Sequence, residues 1–266
     1  MKKTLLFFGA VLLLLSSCQR EIEFDPATQS SSDSCRLVKA YYYDNGMLTD
    51  SVTYEYKNDL VSKINYWNGH LLFYYDGEKI IHRKQVDTTG GFVASADDYF
   101  SYNAADQLTL IKKYETTAAG VTFLFDSVLL SYTGNQLSRV QGYFASLTTP
   151  VMSLDEEAVF TYTGNNITQT ITDKQPDPET ARYEYDNQPN YFRKLYRQPL
   201  LTEPLALDVF FDNWPVTLSA NNVTRITYTN ETARNEVIDY VPDAKGRLSL
   251  VKSNGLTRVR YVYGCQ

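Results

Sequence analysis

The chain has few of the residues from which catalytic and metal centres are built. It contains only two histidines, His70 and His82, and three cysteines. Neither histidine stands at a spacing typical of zinc ligands, and the sequence has no nucleophile elbow, phosphate-binding loop or calcium-binding loop pattern. We therefore expect no metal, no cofactor and no catalytic residue.

Carboxylates in adjacent positions do not change this expectation. The pairs Asp97-Asp98 and Glu156-Glu157 lie in segments with strand character. Neighbouring residues of a strand point to opposite faces of the sheet, so neither pair converges on one substrate. An envelope-anchored glycan hydrolase, with carboxylates supplied by distant strands, stays the alternative to a non-catalytic protein.

An excess of positive charge is also missing. The formal net charge is −6, and it becomes −8 once Lys2 and Lys3 are removed with the targeting segment described next. This acidic balance excludes nucleic acid as the expected partner and disfavours electrostatic adhesion to anionic lipid.

Long apolar runs are confined to the start of the chain. Two lysines precede an apolar stretch from Leu5 to Leu15, and Leu15-Ser16-Ser17-Cys18 follows. This pattern predicts a secretory signal at residues 1–17, too short for a spanning helix with stop-transfer flanks. The ending resembles a bacterial lipobox, which implies that Cys18 is acylated and anchors the protein to a membrane. More than one acyl chain would make this anchor stable.

Residues 18–34 are predicted to form a lipidated N-terminus and a flexible tether, because they lack periodicity and end in a serine-rich stretch. Acidic residues after the cysteine resemble the surface-export signal of Bacteroidota lipoproteins, but Arg20 interrupts them. We expect attachment to the outer membrane and leave the surface and periplasmic faces as alternatives.

Cys35 and Cys265 lie at the two ends of the remaining region, 35–266. An oxidising compartment permits a disulfide between the first and the last strand. Two buried free thiols are the alternative.

A tyrosine-centred phrase recurs along this region, and it predicts an array of similar units. Strand segments alternate with turn signals such as Asn45-Gly46, Asn68-Gly69 and Asn254-Gly255, which suit type I′ hairpins. We predict a single all-β domain, an antiparallel β-meander of consecutive hairpins that forms a large curved or partly rolled sheet. The unequal spacing disfavours propellers and solenoids. The motif tyrosines are Tyr56, Tyr75, Tyr102, Tyr132, Tyr162 and Tyr185.

One segment departs from the pattern, between Pro189 and Asn222. Within it, residues 200–211 have room for one short helix or for a plug in one opening of the curved sheet. The hairpin pattern resumes at Val223.

Several phrases carry a family resemblance. Tyr183-Glu184-Tyr185-Asp186 and Asp243-Ala244-Lys245-Gly246-Arg247-Leu248 resemble the YD repeat of Rhs and teneurin-type proteins. The region as a whole is similar to Bacteroidota lipoproteins of unknown function that are built from degenerate YD-like repeats. In those proteins a Cys-Arg-Leu phrase, here from Cys35, a Tyr-Asp-Asn-x-x-Asn segment, here from Tyr185, and an Asn-Asn-Val-Thr segment, here from Asn221, recur. The resemblance implies a β-meander in the cell envelope.

Binding is the function that the sequence favours. Trp67 at a hairpin tip, with Tyr66 and Tyr74 near it in sequence, and Trp214 in the irregular segment are the candidate ligand-binding residues. Exposed aromatic rings stack on sugars or anchor protein interfaces, whereas core packing is the alternative for either tryptophan.

The partner is a glycan or an envelope protein, and a purely structural envelope component is a third possibility. A concave aromatic cluster would favour a small ligand, and a flat apolar sheet edge would favour a protein. An outer-membrane barrel is a further alternative, which the lipobox and the Gln266 terminus disfavour.

Overall fold

A computed structural model describes residues 35–88, 93–146, 149–174, 178–195 and 214–265. The signal segment, Cys18, the tether and the 200–211 segment lie outside these ranges. Contacts group the chain into a large unit, 37–264, and a small unit made of the chain ends. In the small unit, a disulfide joins Cys35 to Cys265.

Within the described ranges, sixteen antiparallel strands follow one another as consecutive hairpins. They are β1 (Cys35–Asp44), β2 (Met47–Lys57), β3 (Leu60–Tyr66), β4 (Gly69–Asp76), β5 (Lys79–Asp87), β6 (Val93–Tyr102), β7 (Leu108–Thr117), β8 (Thr122–Thr133), β9 (Gln136–Ser146), β10 (Thr149–Thr163), β11 (Asn166–Lys174), β12 (Glu179–Pro189), β13 (Asn221–Tyr228), β14 (Glu236–Pro242), β15 (Leu248–Ser253) and β16 (Leu256–Cys265).

The sheet is closed. Each strand pairs with its neighbours in sequence, and β1 pairs with β16 as well as with β2, so the strands form a barrel. The predicted all-β meander of hairpins is therefore confirmed, but the prediction of a curved or partly rolled sheet was wrong, because the sheet closes on itself. Closure satisfies the backbone groups that β1 and β16 would otherwise expose as free edges.

The recurring tyrosines close the hairpins. Each motif tyrosine lies near the end of an even-numbered strand, at a register shift against the following strand. In most of these hairpins the phenol hydroxyl donates to a carbonyl near the start of the preceding strand. These donor–acceptor pairs are Tyr56 and Leu37 (2.8 Å), Tyr75 and Val61 (2.7 Å), Tyr102 and Ile80 (2.8 Å), Tyr132 and Leu108 (2.9 Å), and Tyr185 and Ile167. Tyr263 of β16, which is not one of the motif tyrosines, donates to the Leu248 carbonyl in the same way (2.8 Å).

Burial accompanies these hydrogen bonds. It raises the pKa of Tyr75 and of Tyr132 to about 12, since the phenolate would lose its hydration inside the barrel. Tyr162 holds the same position on β10, and burial raises its pKa to about 12 as well. The repeat therefore encodes one partly buried, neutral phenol for each hairpin that carries it.

The predicted Asn-Gly turns have different outcomes. Asn45 and Gly46 both have positive φ, as do Asn254 and Gly255, which is the backbone of a type I′ hairpin. The prediction for the third pair, Asn68-Gly69, was wrong, because Gly69 lies in β4 rather than in the turn. A Cβ on Gly69 would come within 2.1 Å of the Val86 carbonyl oxygen, so close backbone approach requires this glycine.

One face of the sheet forms the core and fills the barrel interior. Along β8, Val128 and Leu130 are buried while Leu129 between them is exposed. The same alternation places Tyr54, Phe73, Phe100, Phe160 and Tyr183 inside. The interior near the motif tyrosines is apolar and aromatic rather than a polar lumen.

The long β12–β13 connection adds side chains to this core. Its described parts hold two short helices, α1 (Tyr191–Leu195) and α2 (Trp214–Leu218). Trp214 stacks on Phe160 with 6.4 Å between ring centroids, and Phe192 meets Tyr240 edge-on at 6.3 Å. The helix or plug predicted within 200–211 lies outside the described residues.

A polar network fixes both ends of this connection. Asn190 donates to the carbonyls of Val216 (2.7 Å) and Ser219 (2.9 Å), and its own side-chain oxygen accepts from the Phe192 amide (2.8 Å). Asn222 donates to the Asp186 carboxylate at 3.0 Å. The Tyr-Asp-Asn-x-x-Asn segment from Tyr185 and the Asn-Asn-Val-Thr segment from Asn221 therefore supply the side chains of this network.

The helices of the described residues are short, and none of them has the length and apolar character needed to cross a membrane.

Candidate functional site

The four candidate aromatic residues do not converge. Trp67 lies at the tip of the β3–β4 hairpin with 78% of its surface exposed, whereas Trp214 is 4% exposed in the core. Tyr66 packs against the core and reaches across Gly69, where its hydroxyl lies 3.4 Å from the Val86 carbonyl oxygen. Tyr74 lies on the outer face of the barrel.

Tyr74 belongs to a column of rings that crosses four strands on the outside of the barrel. Its ring stacks on His82 of β5 at 4.7 Å, and His82 stacks in turn on Tyr99 of β6, also at 4.7 Å. Tyr114 of β7 meets Tyr99 edge-on at 5.8 Å. We call these four residues, together with Lys84, Asp97 and Lys112, the outer platform.

Strand register explains the column. His82 stands directly opposite Tyr74 on one side and opposite Tyr99 on the other. Directly opposed side chains on one face of an antiparallel sheet have close Cβ atoms, which places their rings in contact. Tyr74 and Tyr99 remain 45% and 48% exposed, so part of each phenol is open to solvent.

Charged groups lie beside the rings. Asp97 accepts from His82 Nε2 at 2.7 Å through one carboxylate oxygen, and its other oxygen lies 3.6 Å from Lys84 Nζ. Lys112 stands opposite Tyr99 and is exposed. The platform therefore combines aromatic rings with donors and acceptors that are already oriented by neighbouring strands.

A depression in the outer face accompanies the platform. It has a volume of about 640 Å³ and is lined by Lys84, Asp97, Tyr99, Lys112, Tyr114, Thr116 and Thr122. The hydroxyls of Thr116 and Thr122 lie 2.8 Å apart at one side. Tyr99 and Tyr114, with ring planes at 81°, form an aromatic corner in this wall.

The rest of the outer face carries charged side chains as well as exposed apolar ones such as Leu129, Leu154 and Ile171. Charged side chains point outward from strands on all sides, among them Glu55, Lys112, Arg182, Asp239 and Arg260. A barrel that faces lipid carries an apolar band outside, where a midplane lysine or arginine costs about 2–4 kcal/mol. The charged side chains found on the outer face here suit a barrel surrounded by water.

The interior also holds charges, away from the motif tyrosines. Arg83 donates from Nε to Asp98 Oδ2 at 2.8 Å, and both residues are buried. Lys113 lies 3.4 Å from Glu115. Burial raises the pKa of the Asp126 carboxyl to about 6, although the charge of Lys113 acts in the opposite direction.

Asp126 is expected to make the protein more stable in acid than at neutral pH. Its folded pKa lies above its unfolded value, so its stabilising contribution is complete below about pH 4 and is lost as pH rises through about 6. Urea unfolding between about pH 4.5 and 7.5 should show this loss, roughly 2 kcal/mol, in the wild type but not in Asp126→Asn. An identical pH dependence in both proteins would contradict the assignment.

The adjacent acids behave as strand alternation predicts. Asp97 faces outward to His82, and Asp98 faces inward to Arg83. Glu157 faces outward and accepts from Gln141 at 2.9 Å. Within the described ranges no cluster of three or more His, Cys, Asp or Glu side chains could hold a metal ion.

Sequence reasoning identified only Tyr74 of the outer platform. His82 lies on the outer surface of the sheet, and its aromatic partners were not recognised from the sequence. The available signal was positional, because His82 and Tyr99 are paired only if β5 and β6 adopt the observed register. In the same way, Tyr114 and Lys112 join the platform only through the observed register between β6 and β7.

Comparisons with known proteins identify the fold. The chain matches no protein-family model and no curated protein sequence. It is similar to the crystal structure of a porin-like protein from Bacteroides vulgatus ATCC 8482, with a TM-score of 0.55 and 13% identity over 86% of this chain and 98% of that one. A porin-like protein from Bacteroides uniformis ATCC 8492 gives a TM-score of 0.51 and 12% identity over 87% and 98%. These similarities establish a porin-like barrel fold.

Proposed function

We propose that the protein is a non-catalytic lipoprotein of the cell envelope that binds a glycan on the outer platform. The observation that carries the proposal is the aromatic corner of Tyr99 and Tyr114 in a depression lined by lysine, aspartate and threonine. Aromatic rings offer apolar contact to the C–H face of a sugar, and the polar side chains offer hydrogen bonds to its hydroxyls.

Concavity favours a small ligand over a protein partner. The aromatic groups lie around a depression rather than along a flat apolar edge, which is the distinction drawn from the sequence. His82 is covered on both faces by Tyr74 and Tyr99, so it positions these rings rather than contacting a ligand.

Attachment through Cys18 fits the polar exterior. Charges on the outer face disfavour a position within the bilayer, so an acyl anchor and the tether would hold the barrel in the aqueous phase. In this proposal the chain uses the barrel fold of the similar porin-like proteins outside the membrane. The boundaries at residues 17 and 34, and the resemblance to YD-like repeats, stay predictions.

A glycan hydrolase is the weaker candidate. Glycosidases use two carboxyl groups on either side of the scissile bond. Of the described residues that line the depression, Asp97 alone carries a carboxylate, and its oxygens already face His82 and Lys84.

The test is glycan-array binding by the full-length protein in detergent, followed by calorimetry on any hit. Tyr99→Ala and Tyr114→Ala should each weaken binding by about tenfold, because each removes one aromatic contact. Tyr41→Ala is the matched control, since Tyr41 is a partly exposed tyrosine on β1, away from the platform.

Trp67→Ala separates the two candidate surfaces. Binding should survive this change if the ligand lies on the outer platform, because Trp67 occupies a hairpin tip. Loss of binding in Trp67→Ala with full binding in Tyr99→Ala would move the site to the tip and refute the platform assignment. No binding across a broad array would refute the glycan proposal itself.

A further inference from the structure

We infer that the glycan bound by the outer platform is acidic, with a carboxylate or sulfate group received by Lys112. This inference rests on the proposed function and concerns the same depression. It follows from the charges and the unused hydrogen-bond donors around that depression.

The carboxylate of Asp97 already has two partners on β5, His82 and Lys84. One of its oxygens accepts from His82 at 2.7 Å and the other lies 3.6 Å from Lys84. The carboxylate therefore has local donors at both oxygens, and it stands opposite Tyr114 rather than opposite Lys112.

Lys112 has no such partner. Its cross-strand neighbours are Tyr99 on β6 and Ser127 on β8, which are both uncharged. Among the described residues no carboxylate lies within ion-pair distance of its ammonium group. The next residue, Lys113, faces the interior, and its Nζ lies 3.4 Å from Glu115 Oε1. Among the described residues, Lys113 therefore has a carboxylate partner and Lys112 has none.

Donors outnumber acceptors in the depression. An ammonium group carries three N–H donors and no acceptor. In the described part of the chain, the hydroxyls of Tyr99 and Tyr114 have no hydrogen-bond partner and can donate. Positively charged ring edges add to this preference. A neutral sugar would leave the lysine charge uncompensated, whereas an anionic group would satisfy it.

Lys112 would act only at short range. The chain as a whole is acidic, with a net charge of −6, so it does not attract polyanions from a distance. At physiological ionic strength the screening length is about 8 Å, so direct contact with the ammonium group dominates. Selectivity for acidic sugars is therefore expected from a direct contact rather than from long-range steering.

The experiment compares two pairs of probes on the full-length protein. Oligogalacturonate is measured against its methyl ester, and sulfated dextran oligosaccharide against dextran, while the glycan array supplies neutral sugars. The acidic member of at least one pair should bind about tenfold more tightly, as a charge-assisted hydrogen bond predicts. The pair that shows this preference distinguishes carboxylate from sulfate.

Lys112→Met should abolish the preference, so that the acidic member of each pair binds no more tightly than the neutral member. Lys57→Met is the matched control and should keep the preference, because it removes an exposed lysine at the end of β2 for which the described residues provide no ion pair. Equal affinity for both members of each pair, or a preference that persists in Lys112→Met, would overturn the inference while the glycan proposal stands. Failure of every probe, acidic and neutral, to bind the folded protein would refute both.

Discussion

Replacement of Cys35 and Cys265 by serine is expected to lower the free energy of unfolding by about 5 kcal/mol. The disulfide closes a loop with a sequence separation of 230 residues, and the chain-entropy cost of such a loop in the unfolded state is large. The bridge also joins the first strand to the last, which are the two strands whose pairing closes the barrel. Urea unfolding of the oxidised wild type and the double variant measures the difference.

The reduced wild type is the matched control for this experiment. It should unfold at the same urea concentration as the double-serine protein, because both lack the cross-link. Equal unfolding midpoints for the oxidised wild type and the double variant would show that the bridge does not stabilise the barrel. Thiol alkylation before mass analysis establishes the redox state of the starting material.

Asp98→Ala is expected to destabilise the protein by about 3–5 kcal/mol, because it leaves the Arg83 guanidinium buried without its counter-charge. Arg83 is only 9% exposed, and the Nη1 atom of its guanidinium has no hydrogen-bond partner in the described part of the chain. Among the described residues, Asp98 is the carboxylate that pairs with this guanidinium. Chemical unfolding at neutral pH provides the measurement.

The double variant Arg83→Met with Asp98→Leu separates pairing from burial. Removal of both charges eliminates the desolvation cost of each, so this protein should recover most of the stability lost in Asp98→Ala. A double variant as unstable as Asp98→Ala would indicate that packing around Phe100, rather than the ion pair, accounts for the loss.

Local features of the fold could be predicted from the sequence, whereas closure could not. Alternating segments and Asn-Gly pairs predict strands and their hairpins because these signals act within a few residues. The pairing of β1 with β16 joins residues from opposite ends of the chain, and no short-range pattern specifies it. A curved sheet and a closed barrel have the same hairpins, so the distinction required the structure.

The outer platform was hidden because the sequence does not give the register between neighbouring strands. Alternation places Tyr74 outside and Tyr75 inside on β4, and it gives the correct faces for Asp97 and Asp98 on β6. It does not show that His82 stands beside both Tyr74 and Tyr99, which depends on the pairing of three strands. The register shifts beside the motif tyrosines make this pairing harder to derive, because each shift changes which residues stand opposite each other.

Trp67 and Gly69 illustrate a second limit of prediction from the sequence. The Asn68-Gly69 pair has the composition of a type I′ turn, but the glycine is needed for the passage of Tyr66 towards Val86. Glycine serves both purposes, and the sequence does not distinguish them. The exposure of Trp67 at the tip is the same under either interpretation.

The tyrosine hydrogen bonds suggest how barrels of this kind change size. Each bond lies within one hairpin, between an even-numbered strand and the strand before it, as between Tyr132 and Leu108. A duplicated or deleted hairpin would bring or remove its own bond and leave its neighbours intact. The circumference would then change in steps of two strands, or about 10 Å. Related barrels should accordingly differ from this one by whole hairpins and keep an even number of strands.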